Sequence, residues 1–242
     1  VHMMIEIGHN GTKNQILTCA FYDQILQSDD FEREFSYPMI EKYKDDPEIV
    51  AALLSGYLEY PSMAIRTTFT YKEKNVNRYT NQDAAVTYER IPVTEYFKDV
   101  SEAKKHFQLL KDIYKGMSKK KIEFHPCIFP WNTETLTKGD LVERMGLIAY
   151  ILQDEELINE VCGKLSDIDG TYDNRNVFIE ALLHAPQNDL QRRALLGYVA
   201  DKETYSRKIA YALVKKLSLT GDEYQILEGY LKYKTQDIRT NV

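Results

Sequence analysis

Leu54-Ser-Gly-Tyr-Leu-Glu-Tyr-Pro-Ser-Met-Ala-Ile-Arg-Thr-Thr-Phe69 aligns without a gap on Leu227-Glu-Gly-Tyr-Leu-Lys-Tyr-Lys-Thr-Gln-Asp-Ile-Arg-Thr-Asn-Val242. Eight of the sixteen positions are identical, among them Gly56/Gly229, Tyr57/Tyr230 and Arg66/Arg239. A weaker third copy, Leu195-Leu-Gly197-Tyr198-Val199 running on to Arg207, stands 32 residues before the last. Self-similarity of this kind marks stacked structural units, each too small to bury its own apolar faces.

Working outward, Asp46-Pro47 opens a helix in the favoured order, a capping carboxylate followed by proline in the first turn. Ile49, Leu53, Leu54, Tyr57 and Leu58 give that helix one apolar stripe. Pro61 starts a partner helix through Ile65 and Phe69, and so short a connection makes the two antiparallel neighbours. Upstream, Thr12 caps a helix through Ile16, Leu17, Ala20 and Phe21. Downstream, the pattern predicts helices over 141–152, 154–165, 176–185, 190–200, 204–217 and 222–233, with Thr137-Lys-Gly-Asp140 as a capping box. Between these blocks periodicity fades, apart from a helix at about 101–117 that Ser101 is expected to cap and an extended piece near 85–91. The expected organisation is therefore helical pairs over 1–74, an irregular insertion over 75–136, and a helical array over 137–242. The fold class is all-α, an α-α superhelix of antiparallel pairs. Val242 stops inside a unit's signature, so the chain is expected to be a piece of a longer array.

The second helix of each pair carries an apolar or small residue, then Arg, then an apolar or small residue three further on. These are Ile65-Arg66 with Phe69, Ser206-Arg207 with Ala210, and Ile238-Arg239 with Val242. The pattern resembles HEAT repeats, and over residues 46–70 and 139–242 that resemblance implies a ladder in which each Arg bonds an Asp of the turn before it. Asp201, six residues ahead of Arg207, fits that place; Tyr60 and Tyr233 stand there in the other two copies. The 32-residue offset is shorter than the roughly 40–47 of HEAT units and keeps a tetratricopeptide array as an alternative. The chain is also similar to the helical portion of very large bacterial proteins of uncharacterised role.

Charge narrows the partners. With 31 Lys and Arg against 37 Asp and Glu, the net charge is −6. That is the wrong sign for a nucleic-acid footprint. The basic run Lys115–Lys121 reads as a helix end and solvated loop. No apolar run reaches the roughly 18 residues of a membrane span. Cys19, Cys127 and Cys162 are odd in number and widely spaced, which fits a reducing, cytoplasmic setting rather than a disulfide framework.

Several short motifs invite chemistry. Asp167-Ile-Asp169-Gly170-Thr171 spells the nucleophile motif of haloacid-dehalogenase-type phosphatases, but it follows helical sequence where that chemistry needs a parallel strand. As a calcium loop it places Leu165 and Asn176 where acidic ligands belong. His106, His125 and His184 lack ligand spacing. Cys127 shows no neighbouring base, and Gly8-His-Asn-Gly-Thr-Lys13 lacks the spacing of a phosphate-binding loop. No catalytic residue, metal or cofactor is expected. The eighteen tyrosines divide by position: Tyr57, Tyr198 and Tyr230 recur at one repeat place and read as packing, while others suit a protein-binding face. The expected function is a non-enzymatic scaffold or recognition module for a protein or peptide partner. The alternatives are an inert spacer, or a helical-repeat enzyme resembling the DNA glycosylases.

Overall fold

The computed structural model describes residues 2–26, 35–72, 86–125, 131, 133–169, 174–232 and 238–239. The protein is mostly helical, with two small antiparallel sheets among the described residues. In chain order the elements begin with α1 (His2–Asn10), α2 (Lys13–Leu26), α3 (Tyr37–Lys42), α4 (Pro47–Gly56), α5 (Pro61–Thr67), β1 (Phe69–Tyr71) and β2 (Val86–Tyr88). There follow α6 (Val100–Gly116), β3 (Lys121–Phe124), β4 (Glu134–Thr137), α7 (Lys138–Leu152) and α8 (Glu155–Cys162). The series ends with α9 (Asn174–Leu183), α10 (Asp189–Tyr198), α11 (Thr204–Val214) and α12 (Gly221–Tyr230). The chain forms two compact units, each from two stretches: Val1–Tyr60 with Val93–Arg144, and Pro61–Pro92 with Met145–Val242.

Unit 1 is organised on α4. Asp46 accepts hydrogen bonds from the N–H groups of Glu48 and Ile49 at 3.1 and 3.2 Å, and Pro47 needs no partner in the first turn. Ile49, Val50, Ala51, Ala52, Leu53 and Leu54 are all buried, so this helix is covered all round. Its neighbours are α2, α3, β3 and β4. Against α3, Gly8 of α1 has no room for a Cβ, which would meet Met39 Sδ at 2.6 Å. Helix α6 buries one stripe, Ala103, His106, Phe107, Leu110 and Ile113, at helical spacing. Its cap is Asp99 rather than Ser101, because the Asp99 carboxylate takes the Glu102 N–H at 2.9 Å.

Unit 2 holds the later helices. Asp154, Asn188 and Thr220 cap α8, α10 and α12, each through its own side chain. Helix α8 contacts α10, and α10 contacts α12; α9 contacts α11. Sequential neighbours also touch, α8 with α9, α9 with α10, and α10 with α11. Helix α9 is buried from Arg175 to Leu183. Gly146 in α7 lies so close to Phe178 that a Cβ would sit 2.7 Å from the ring.

The sheets depart from an all-α expectation. β1 pairs with β2 as Phe69↔Tyr88, Thr70↔Thr87 and Tyr71↔Val86. Alternating aromatic and β-branched residues favour a pleated surface there, and β2 falls within the extended piece expected at 85–91. β3 pairs with β4 inside sequence that reads as irregular. The basic run that ends at Lys121 is therefore partly strand. Thr137 and Asp140 do form the expected reciprocal cap, Asp140 N–H to Thr137 Oγ1 at 3.1 Å and Thr137 N–H to Asp140 Oδ2 at 2.6 Å.

Candidate functional site

The repeated residues fall at one local place. Gly56 ends α4 and Tyr57 caps it; Gly197-Tyr198 end α10; Gly229-Tyr230 end α12. Arg66 lies in α5, Arg207 in α11, and Arg239 in a helical turn that includes Ile238. Their surroundings differ. Tyr57 and Tyr198 are buried and Tyr230 is half-buried. Gly56 is buried, whereas Gly197 and Gly229 face open space. Arg207 is buried, whereas Arg66 and Arg239 are exposed. The recurring tyrosines pack; Tyr60, Tyr205 and Tyr224 are the exposed ones among the described residues.

In unit 2, buried polar groups tie one helix pair to the next. Arg207 donates from Nη1 to the carbonyls of Asp201 and Lys202, both at 2.9 Å, so its bond to Asp201 is to the main chain. The Asp201 carboxylate is taken instead by Arg175 Nη1 at 3.1 Å, an ion pair with side chains 2 % and 8 % exposed. Arg175 also donates to the carbonyls of Ile168 and Ser166, the turn ahead of its own helix. Arg175 thus repeats the back-bonding of Arg207 and adds a carboxylate from the following turn. Sequence reasoning missed Arg175, although the signal was present: Asp169 and Arg175 stand 32 residues before Asp201 and Arg207.

Parallel ties run beside it. Gln191 Nε2 and Asn188 Nδ2 of the α10 start both donate to Asn159 Oδ1 in α8, at 2.9 and 3.1 Å. Arg192 grips Glu223 of α12 through two bonds of 2.6 and 2.8 Å. Ser206 Oγ donates to Asn176 Oδ1 at 2.9 Å, joining α11 to α9. Tyr198 Oη donates to the Cys162 carbonyl at 2.7 Å, closing α10 on α8. Charge pairing with Arg192 holds the Glu223 carboxyl at about 2, and burial pushes the Cys162 thiol up to about 11 and the Tyr198 hydroxyl up as well.

Unit 1 shows two features. Arg144, 7 % exposed, donates to the carbonyls of Leu54 at 2.6 Å, Tyr57 at 2.7 Å and Asp140 at 2.9 Å. It satisfies two of the acceptors at the end of α4, Leu54 and Tyr57, and burial lowers its pKa from the ordinary value. That clasp steadies a turn in which Leu58 and Tyr60 take left-handed φ of 47° and 53°. Close by in sequence, the Tyr57 hydroxyl meets His106 Nδ1, and Tyr37 stacks on the same imidazole with centroids 3.5 Å apart. Phe97 meets it edge-on, and burial pushes the imidazole down to about 3.

The second feature is a groove of about 1450 Å³ among α3, the start of α4, α6 and β3. Tyr37, Pro47, Leu109 and Ile122 line it with apolar surface, while Val50, Ile113 and Met117 in its lining are buried. Charges of both signs stand in its walls, including Lys44, Asp45, Lys121 and Glu123.

The chemical motifs are dispersed. Asp167 ends a 3₁₀ turn and Asp169 is exposed, while Gly170 and Thr171 lie outside the described residues. His184 stacks on Tyr88 at 4.1 Å, and His125 is exposed beside Thr133. Cys127 lies outside the described residues; Gly8 to Asn10 belong to α1. Among the described residues no group of three or more His, Cys, Asp and Glu side chains is placed to hold a metal ion. No helix among them is long and apolar enough to cross a membrane.

The mostly helical chain belongs to a family of unknown function, DUF5724, whose family model matches residues 1–242. No curated protein and no solved structure matches it.

Proposed function

We propose that this chain is a non-enzymatic scaffold and recognition module built from HEAT-like repeats, presenting a row of helices to a protein or peptide partner. One observation carries the reading: in unit 2 the buried polar side chains bridge successive helix pairs, Arg175 to Asp201 above all, instead of converging on one point. A catalytic constellation gathers such groups around a reacting atom, whereas an array spends them on neighbour contacts. The shifted groups agree. His106 at about 3, Cys162 at about 11 and Glu223 at about 2 all move away from neutrality, the wrong direction for acid–base work. Arrays of stacked helix pairs present extended surfaces to solvent, and a partner would bind there.

The test is capture on the immobilised chain from a lysate of its own cells, with elution by excess free chain. A stoichiometric protein released by that competition supports the reading. Failure to release any protein favours the spacer, and turnover of a substrate by the purified chain overturns both.

A further inference from the structure

We propose that unit 1 takes an extended polypeptide segment by adding it as a strand to the outer edge of β3, along the groove; the idea rests on the recognition reading above and names its site and mode. The phase of the hairpin supplies the argument. The Lys138 N–H donates to the Lys120 carbonyl at 2.9 Å, and the register sets Ile122 opposite Leu136 and Phe124 opposite Glu134. Antiparallel ladders alternate between residues bonded to the partner strand and residues turned from it. With Lys120 bonded, Ile122 and Phe124 are bonded too, and Lys121 and Glu123 turn their N–H and C=O groups away from β4.

Those two residues are the ones that the groove shares with the strand edge, together with Ile122 between them. The sheet has two strands among the described residues, so β3 is an edge strand. Lys121 and Glu123 stand on one face of the strand, where they pair with each other at 2.6 Å and are 61 % and 54 % exposed, so among the described residues neither side chain is engaged by another element. An edge of unpaired donors and acceptors is a template for one kind of partner, another extended main chain. Four strand residues at about 3.3 Å each offer about 13 Å of edge. The apolar lining from Tyr37, Pro47, Leu109 and Ile122 receives every second side chain of the incoming strand. The mixed charges of the wall select intervening residues of both signs rather than a uniformly acidic or basic tract.

The experiment selects random peptides of about nine residues, enough to overrun that edge, on the immobilised full chain. Binding of the winners is then measured to wild type and to Glu123→Pro. Proline removes an N–H that the ladder to β4 does not use, a substitution edge strands accept, and a thermal melt confirms the fold. The expected winners alternate apolar and charged residues, and they lose about tenfold in affinity on the proline variant, the effect of one main-chain bond and the ring's bulk. Methylating alternate peptide nitrogens abolishes binding in one phase and spares it in the other. An empty selection, winners without the two-residue period, or equal affinity for Glu123→Pro overturns the inference. A lysate partner that the peptides fail to displace leaves the scaffold reading standing while this one falls.

Discussion

Unit 1 and unit 2 end a helix with the same pair of residues and then use them differently. In unit 1 the hydroxyl of Tyr57 meets an imidazole, and Arg144 gathers the helix-end carbonyls. In unit 2 the hydroxyl of Tyr198 reaches the main chain of the preceding pair, and the arginines tie turn to turn. The repeated residues determine how a helix stops; the neighbours determine what the stop is for. A shared motif therefore licenses a shared local structure and no more.

The sharpest way to break this contrast is Arg144→Ala. Three carbonyls lose a buried donor together, and unit 1 should lose about 3–5 kcal/mol, read as a shift in the urea midpoint. A loss below 1 kcal/mol would mean that water replaces the guanidinium and the clasp is incidental. Arg175→Ala should cost unit 2 about 3 kcal/mol, because it strands Asp201 and two turn carbonyls. A double-mutant cycle with Asp201→Ala should return about 1–2 kcal/mol of coupling. A zero coupling would detach the ladder from stability.

Acid separates the units next. His106 binds its proton at about 3 when folded and near 6.5 when unfolded, so stability is full above pH 6.5 and drains as pH falls towards 3. Glu223 is held at about 2 against an ordinary 4.5, so its contribution is complete above 4.5 and is lost between there and 2. Urea midpoints followed by circular dichroism should therefore decline in two stages. His106→Gln should flatten the stage between 6.5 and 4.5, and Arg192→Ala the steeper fall below it. Unchanged profiles in both variants would reject these causes.

The mildest test is Gly197→Ala. That glycine ends a helix with open space where a Cβ would go, so alanine should stabilise by about 0.5 kcal/mol. A clear destabilisation would show that the repeat needs its glycine, not merely its helix end.

Much of the fold is legible in the chain, for reasons that are local. Asp46-Pro47, Thr12 and Thr137-Asp140 cap helices because a side chain that accepts from an amide two or three residues on suffices. Arg175 was also open to reading, since Asp169 and Arg175 stand 32 residues before Asp201 and Arg207. What local pattern does not reveal is burial of charge. Nothing around Arg144 in sequence announces that it lies against α4, because its partners there, the carbonyls of Leu54 and Tyr57, are some ninety residues away, and every residue carries a carbonyl. The β3–β4 hairpin was hidden likewise: Lys121 and Glu123 read as solvated, and solvated they are, yet their backbone is strand.

The Arg144 clasp has a bearing on durability. A cation held by peptide oxygens has no carboxylate that acidification could neutralise, so this fastening keeps its grip through conditions in which the Arg192–Glu223 link lets go. Were the surroundings to turn sour, the Arg144 bonds to Leu54 and Tyr57 would outlast the Tyr57–His106 contact beside them, which titrates first.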